Sequence, residues 1–239
     1  VKNDEIINSF GTRDSLNPKI WDNDDTLNEE VREKLLGVAN EFINFLGVPI
    51  LVEDIIFTGS LSNYNWSKYS DIDLHVVADF TQFSDELLPL YQELFKVKKT
   101  LFNTDHDIKI FGYEVELYVQ DSNEAHFSSG VYSVLFDEWS NKPKKENVKV
   151  DKNLIREKSK QWMEIIDTAL EAASDVTADD AREILKKCKD KLKKYRTCGL
   201  EKEGEYSDEN LVFKVLRRNG YIEKLMNFEN DMVDKELSI

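Results

Sequence analysis

The chain has 239 residues, 41% hydrophobic and 33% charged, and its 32 Lys and Arg against 47 Asp and Glu leave a net charge of −15. That composition belongs to a globular chain able to bury one good core or two small ones, and no apolar run reaches the roughly 18 residues a membrane helix needs. So acidic a balance excludes a general nucleic-acid-coating protein, whose whole face must be basic.

Residues 1–25, rich in Asn and Asp, show no strong periodicity and read as a wrapping arm. Thr26-x-x-Glu29 is a capping-box pattern, and Val31, Leu35, Val38, Phe42 and Phe45 then recur every three or four residues until Gly47. That spacing predicts an amphipathic helix of about five turns. Residues 51–58 read as a strand leading into Gly59-Ser60, and residues 72–78 as the next strand. Residues 85–101 read as a helix with Leu87, Tyr91, Leu94 and Leu101 inward, and residues 107–111 and 113–120 as two strands meeting at Gly112. This order predicts an α+β fold, a small mixed sheet with helices on one face.

After about residue 125 the pattern changes. A Ser-Ser-Gly turn, a short segment around Val131 to Trp139 and a polar loop around Pro143 mark the expected boundary. The chain then reads as helical: Asp151 to Ala173 with Trp162, Ile165 and Ala169 on one stripe, Ala178 to Arg196 with Ile184, Cys188, Leu192 and Tyr195, and Ser207 to Leu225. The expected division is therefore a domain over 1–125 and a helical C-terminal domain over 126–239. Cys188 and Cys198 have no histidines beside them and read as reduced structural thiols. No signal-peptide pattern opens the chain, the valine at position 1 suggests that a leader or initiator methionine was removed, and a cytoplasmic location is expected.

The charge is unevenly placed. Residues 1–125 hold 24 acids against 10 bases, residues 126–239 hold 23 against 22, and Arg182 to Lys202 carries nine bases against three acids. An acidic module beside a basic helix suits a protein that steers phosphates to one surface. Within the acidic half, Asp71 and Asp73 open a strand. The period of two sends both from one face, about 7 Å apart, while Ile72, Leu74 and Val76 point into a core. Paired carboxylates on a rigid strand suit hard divalent cations.

A Gly-Ser at a strand end followed about ten residues later by Asp-x-Asp resembles the DNA polymerase beta-type nucleotidyltransferase superfamily. The stretches LNPKIWD, FTGSLSNYN, SDIDLHVV, VELYVQD and GEYSDENLVFKVLRRNG also resemble nucleotidyltransferase-like proteins of tailed bacteriophages and related viruses. The resemblance implies a polymerase beta-like catalytic domain, a viral source acting in the host cytoplasm, and two magnesium ions, with manganese as an alternative, held by Asp71, Asp73 and a third carboxylate. Glu116, between Val115 and Leu117, matches the third position, with Glu114 on the same face as second choice; the family more often has aspartate there.

The expected reaction moves a nucleoside monophosphate from a triphosphate to an acceptor hydroxyl with release of pyrophosphate. Metal ions at Asp71, Asp73 and Glu116 offset the triphosphate charge and activate the acceptor. Gly59 lets the backbone approach the phosphates, and the Ser60 hydroxyl and amide can bond their oxygens at a helix N-terminus. Lys214, Arg217 and Arg218 share a helix face and can meet the triphosphate or an acceptor backbone, against an even alternative of a solvated basic face. Trp66 and its neighbours Asn63, Tyr64 and Asn65 read first as packing anchors, His75 as a structural histidine, and Lys186, Lys187, Lys191 and Lys194 as a solvated face. The acceptor is expected to be an RNA or tRNA end held by the basic helices; the alternatives are nucleotidylation of a protein, small molecule or nucleotide, and a non-catalytic nucleotide-binding module.

Overall fold

The computed structural model describes residues 2–23, 25–124 and 128–238. The chain divides into two compact units, one formed by Thr12–Asn147 and the other by Val1–Gly11 with Val148–Ile239.

The first unit is a mixed α+β layer built on a six-stranded sheet of order β3-β4-β2-β1-β5-β6. Its strands are β1 (Val52–Thr58), β2 (Ile72–Ala78), β3 (Lys109–Ile110), β4 (Tyr113–Asp121), β5 (Val131–Ser133) and β6 (Glu138–Asn141). β2 runs antiparallel to β1 and parallel to β4. The parallel pair needs a crossover, supplied by helix α3 (Leu88–Asp105). β3 and β4 form a tight hairpin through Phe111 and Gly112, both at positive φ, the backbone that a two-residue turn demands.

Helix α2 (Glu29–Leu46) packs with α3 over one face of the sheet. Val31, Leu35, Ala39, Phe42 and Leu46 are buried against Ile55, Phe57, Leu74, Val76 and Leu117. The expected helix is present, but Asn28 rather than Thr26 caps it, its side chain accepting from the Glu30 and Val31 amides. The segment before α2 contributes Trp21, which stacks on Phe57 and Trp139 and donates its indole N–H to the Leu61 carbonyl at 2.7 Å.

α3 departs from its expected frame. Phe95 and Phe102 are its buried residues, whereas Leu87 and Leu101 lie 47% and 46% exposed. The helix carries two apolar stripes, and the aromatic one docks because Phe102 meets Phe42 edge to face, 5.1 Å between centroids. Beyond the hairpin β4 has an open edge, which Asn103 closes locally: its amide accepts from the Leu117 N–H at 2.9 Å and donates to the Leu117 carbonyl at 3.0 Å.

The expected boundary falls on Ala125 and His126, outside the described residues. The sheet continues past it, because Tyr132 and Ser133 pair with Phe57 and Ile56. β5 and β6 therefore belong to the sheet unit, and residues 2–11 to the helical one.

The helical unit contains α1 (Lys2–Asn8), α4 (Lys152–Ser174), α5 (Ala178–Glu203), α6 (Asp208–Arg218) and α7 (Tyr221–Leu237). Asp151, Thr177 and Ser207 cap the N-termini of α4, α5 and α6. The buried stripes are Ile155, Trp162, Ile166 and Leu170 on α4 and Ala181, Leu185, Cys188 and Leu192 on α5, so Ile165 and Ile184 sit one position off the expected inward stripes. The expected single helix over 207–225 breaks at Asn219-Gly220, where Gly220 takes a φ of 80°. Cys188 is buried and Cys198 exposed, both as free thiols. No helix among the described residues is long and apolar enough to cross a membrane.

Three of the four tryptophans lie in the sheet unit, so urea unfolding followed by tryptophan fluorescence reports mainly on it. Phe102→Ala is expected to destabilise that unit by about 3–5 kcal/mol through the cavity it leaves. Leu101→Ala on the exposed stripe is expected to cost less than about 1 kcal/mol.

Candidate functional site

The face of the sheet opposite α2 and α3 carries the acidic cluster. Register builds it: Asp73 stands opposite Thr58 of β1 on one side and Glu116 of β4 on the other. Asp71 immediately precedes β2 and, two residues from Asp73, projects from the same face. One carboxylate oxygen from each of Asp71, Asp73 and Glu116 lies within 4.8 Å of the others, and all three residues are half-buried. Glu114, the second choice for the third position, is exposed and instead pairs across the hairpin with Lys109 at 3.7 Å.

Gly59 ends β1 beside this cluster with φ 81° and ψ −163°, a conformation open essentially to glycine alone. A Cβ built there would overlap the Asp73 carboxylate, so the missing side chain is what lets the strand end pass against the acid. Ser60 lies differently from its expected place. It is buried, its hydroxyl donates to Ser70 Oγ at 2.8 Å, and it begins a single 3-10 turn, Ser60–Ser62, rather than an α-helix whose N-terminus could hold phosphate.

The loop after Gly59 is fastened from several sides. Ser62 donates to the Gly59 and Gly130 carbonyls, Thr58 also donates to Gly130, and the Gly59 N–H reaches Ser128 Oγ at 3.4 Å. Gly130 has no room for a Cβ, which would overlap the Ser62 carbonyl. Ser128 to Gly130, expected only as a boundary turn, therefore form one wall of the Gly59 loop. Trp66 is an anchor: its indole donates to the Ser15 carbonyl at 2.9 Å and the Arg13 guanidinium lies 5.3 Å above its ring.

A polar shelf supports the third carboxylate. The Tyr118 hydroxyl donates to Glu116 Oε2 at 2.6 Å, and the Tyr118 ring lies 4.8 Å from that of His75, whose Nδ1 is 2.6 Å from Gln120 Oε1. The Lys99 ammonium reaches from α3 to sit 3.9 Å from the centre of the Tyr118 ring, a cation–π contact. Burial pushes the Lys99 ammonium below the usual lysine range, while Glu116 and Asp73 pull it back up. Burial, then the Glu116 charge, holds the Tyr118 phenol well above its ordinary range, so it stays a hydrogen-bond donor at neutral pH.

The sequence reading missed Tyr118 and Lys99, yet signals for both were present. Tyr118 shares the strand face of Glu116, and Lys99 falls between Phe95 and Phe102 on the stripe that is in fact inward. Lys214 and Arg217, expected at the phosphates, lie on α6 of the helical unit, Lys214 half-buried and Arg217 exposed.

Comparison with protein-family models, curated proteins and solved structures gave no match. The three converging carboxylates supply only hard oxygen donors, and like charges so close repel unless a cation lies among them, which fits a divalent ion.

Tyr118→Phe keeps the ring but removes the hydrogen bond to Glu116, and the resulting freedom of that carboxylate is expected to weaken Mn2+ binding about tenfold, read by electron paramagnetic resonance titration. Gly59→Ala is expected to weaken it further, because the new methyl displaces Asp73 itself.

Proposed function

We propose that this chain is a divalent-metal-dependent nucleotidyltransferase that moves a nucleoside monophosphate from a triphosphate to an acceptor hydroxyl and releases pyrophosphate. The observation that carries the proposal is the meeting of Asp71, Asp73 and Glu116 within 4.8 Å, on neighbouring strands, beside a strand end kept free of any side chain at Gly59.

Asp71, Asp73 and Glu116 are the residues that would hold Mg2+ or Mn2+, and the metal, when bound, supplies charge neutralisation of the triphosphate and a lowered pKa for the acceptor hydroxyl. Asp73, central in the register between β1 and β4, is placed to serve both sides of the site. Tyr118 fixes the Glu116 carboxylate, and Lys99 adds positive charge behind it without bonding to it directly. Gly59 offers backbone where a phosphate oxygen can approach without a Cβ in its way. The Ser60 hydroxyl is given to Ser70, so the phosphate bond assigned to this residue falls to its backbone amide.

The acceptor most consistent with the charge pattern is an RNA end. α5 carries Lys186, Lys193 and Lys194 as exposed residues within an otherwise acidic chain, and such a stripe binds phosphodiesters in proportion to the counterions it releases.

Incubation with Mg2+, each labelled ribonucleoside triphosphate and total cellular RNA tests the proposal beside an Asp71→Ala/Asp73→Ala control. Label entering RNA with release of pyrophosphate, and lost in the control, is the expected outcome. Label entering protein or a small molecule instead would retain the reaction and reassign the acceptor, and no transfer to any acceptor would overturn the enzyme.

A further inference from the structure

Within the helical unit, α5, α6 and α7 line a cavity of about 370 Å³. α7 contributes Ile222, Leu225 and Met226, α6 contributes Phe213, and α5 contributes Leu192 and Leu200. Leu192 and Leu225 are 3% and 2% exposed and form the floor, whereas Met226, 58% exposed, stands at the mouth. A mostly apolar hollow of this volume lies at the lower end of the range for small-molecule sites.

The charged side chains of the lining are mostly of one sign. α5 sets Lys189, Lys193 and Arg196 around the cavity against one acid, Asp190, in a chain whose acids outnumber its bases 47 to 32. Lys189 is engaged in an ion pair with Glu229 of α7. Arg196 is held in place: its guanidinium lies 4.3 Å from the centre of the Phe213 ring, and its Nε donates to Asn210 Oδ1 at 3.3 Å. Asn210 is itself buried and donates to the Glu205 carbonyl at 2.7 Å. A guanidinium fixed in advance loses little further freedom when it takes an anion. Lys193, exposed on the same helix, adds a second positive charge at the mouth.

The floor is aliphatic, and its single aromatic ring already has Arg196 against it, so a hydrocarbon chain suits it better than a base stacked between rings. A carboxylate is the anion that one guanidinium fork matches. We infer that this cavity binds a single-chain amphiphile of the fatty-acid class, its chain on Leu192 and Leu225 and its carboxylate on Arg196 and Lys193. The inference does not depend on the nucleotidyltransferase reading, since every lining residue belongs to the helical unit and none to the acidic cluster.

The chain has three methionines, of which only Met226 lines the cavity, so the full-length protein labelled with 13C at the methionine methyl groups carries its own reporter. Titration with octanoate to about 2 mM, a range that covers weak small-ligand binding, is expected to shift the Met226 resonance saturably and leave that of Met163 in place. 1-Octanol, the same chain without the charge, is expected to bind at least tenfold more weakly. Lys193→Gln/Arg196→Gln is expected to bring octanoate down to the level of octanol while octanol binds as before, which shows the cavity intact. Lys193→Glu, a single change at an exposed site, is expected to weaken octanoate about tenfold. Absence of a saturable Met226 shift, octanol binding as tightly as octanoate, or Lys193→Glu binding octanoate as well as wild type would overturn the inference. So would a Met226 shift with adenosine monophosphate and none with octanoate, which would make the cavity a nucleotide site.

Discussion

Everything distinctive about this protein depends on holding three like charges together on one sheet face. Asp71, Asp73 and Glu116 repel one another, and nothing in their local sequence draws them together. The β2–β4 register does so, and that register is fixed by the other face of the same strands. Ile72, Leu74, Val76, Val115 and Leu117 are buried beneath α2 and α3, and a slip of one residue would turn Asp73 and Glu116 into that core. The hydrophobic core thus holds the acids in register, and the apolar burial of a whole sheet offsets a local electrostatic cost.

The supporting residues follow from that constraint. The Gly59 strand end can pass beside Asp73 only because it lacks a Cβ, and Gly130 meets the Ser62 carbonyl for the same reason. Both glycines serve close approach of backbone rather than flexibility. Tyr118 restrains Glu116, and Lys99 reaches the acidic face past the unpaired edge of β4, which Asn103, one helical turn further along α3, closes at the neighbouring Leu117. A charged lysine half-buried on an otherwise apolar helix stripe is retained because it lies over an aromatic ring and near two carboxylates.

α3 carries two apolar stripes of which the core takes one. Its aromatic stripe is consumed by the core, and its aliphatic stripe stays exposed. The same amphipathic logic organises the helical unit, where α4, α5 and α6 each bury one stripe and leave charged residues outside.

The sequence by itself determined the elements and the acidic pair. Period-two alternation located β1, β2 and β4, Gly47 and Gly112 marked ends and turns, and Asp71 with Asp73 had to share a face because a strand alternates. It also determined that the chain mixes a small sheet with later helices. Only the tertiary structure decided between alternatives that periodicity leaves equal. It chose Glu116 over Glu114 because the β2–β4 register sets Glu116 beside Asp73, whereas the hairpin hands Glu114 to Lys109. It chose the aromatic stripe of α3 over the leucine stripe, since both recur at helical spacing and only the shape of the sheet face distinguishes them. It joined β5 and β6 to the sheet across the expected boundary, because pairing between distant strands leaves no mark in local composition. Local spacing records which side chains share a face; which faces meet is decided by packing among residues far apart in the chain.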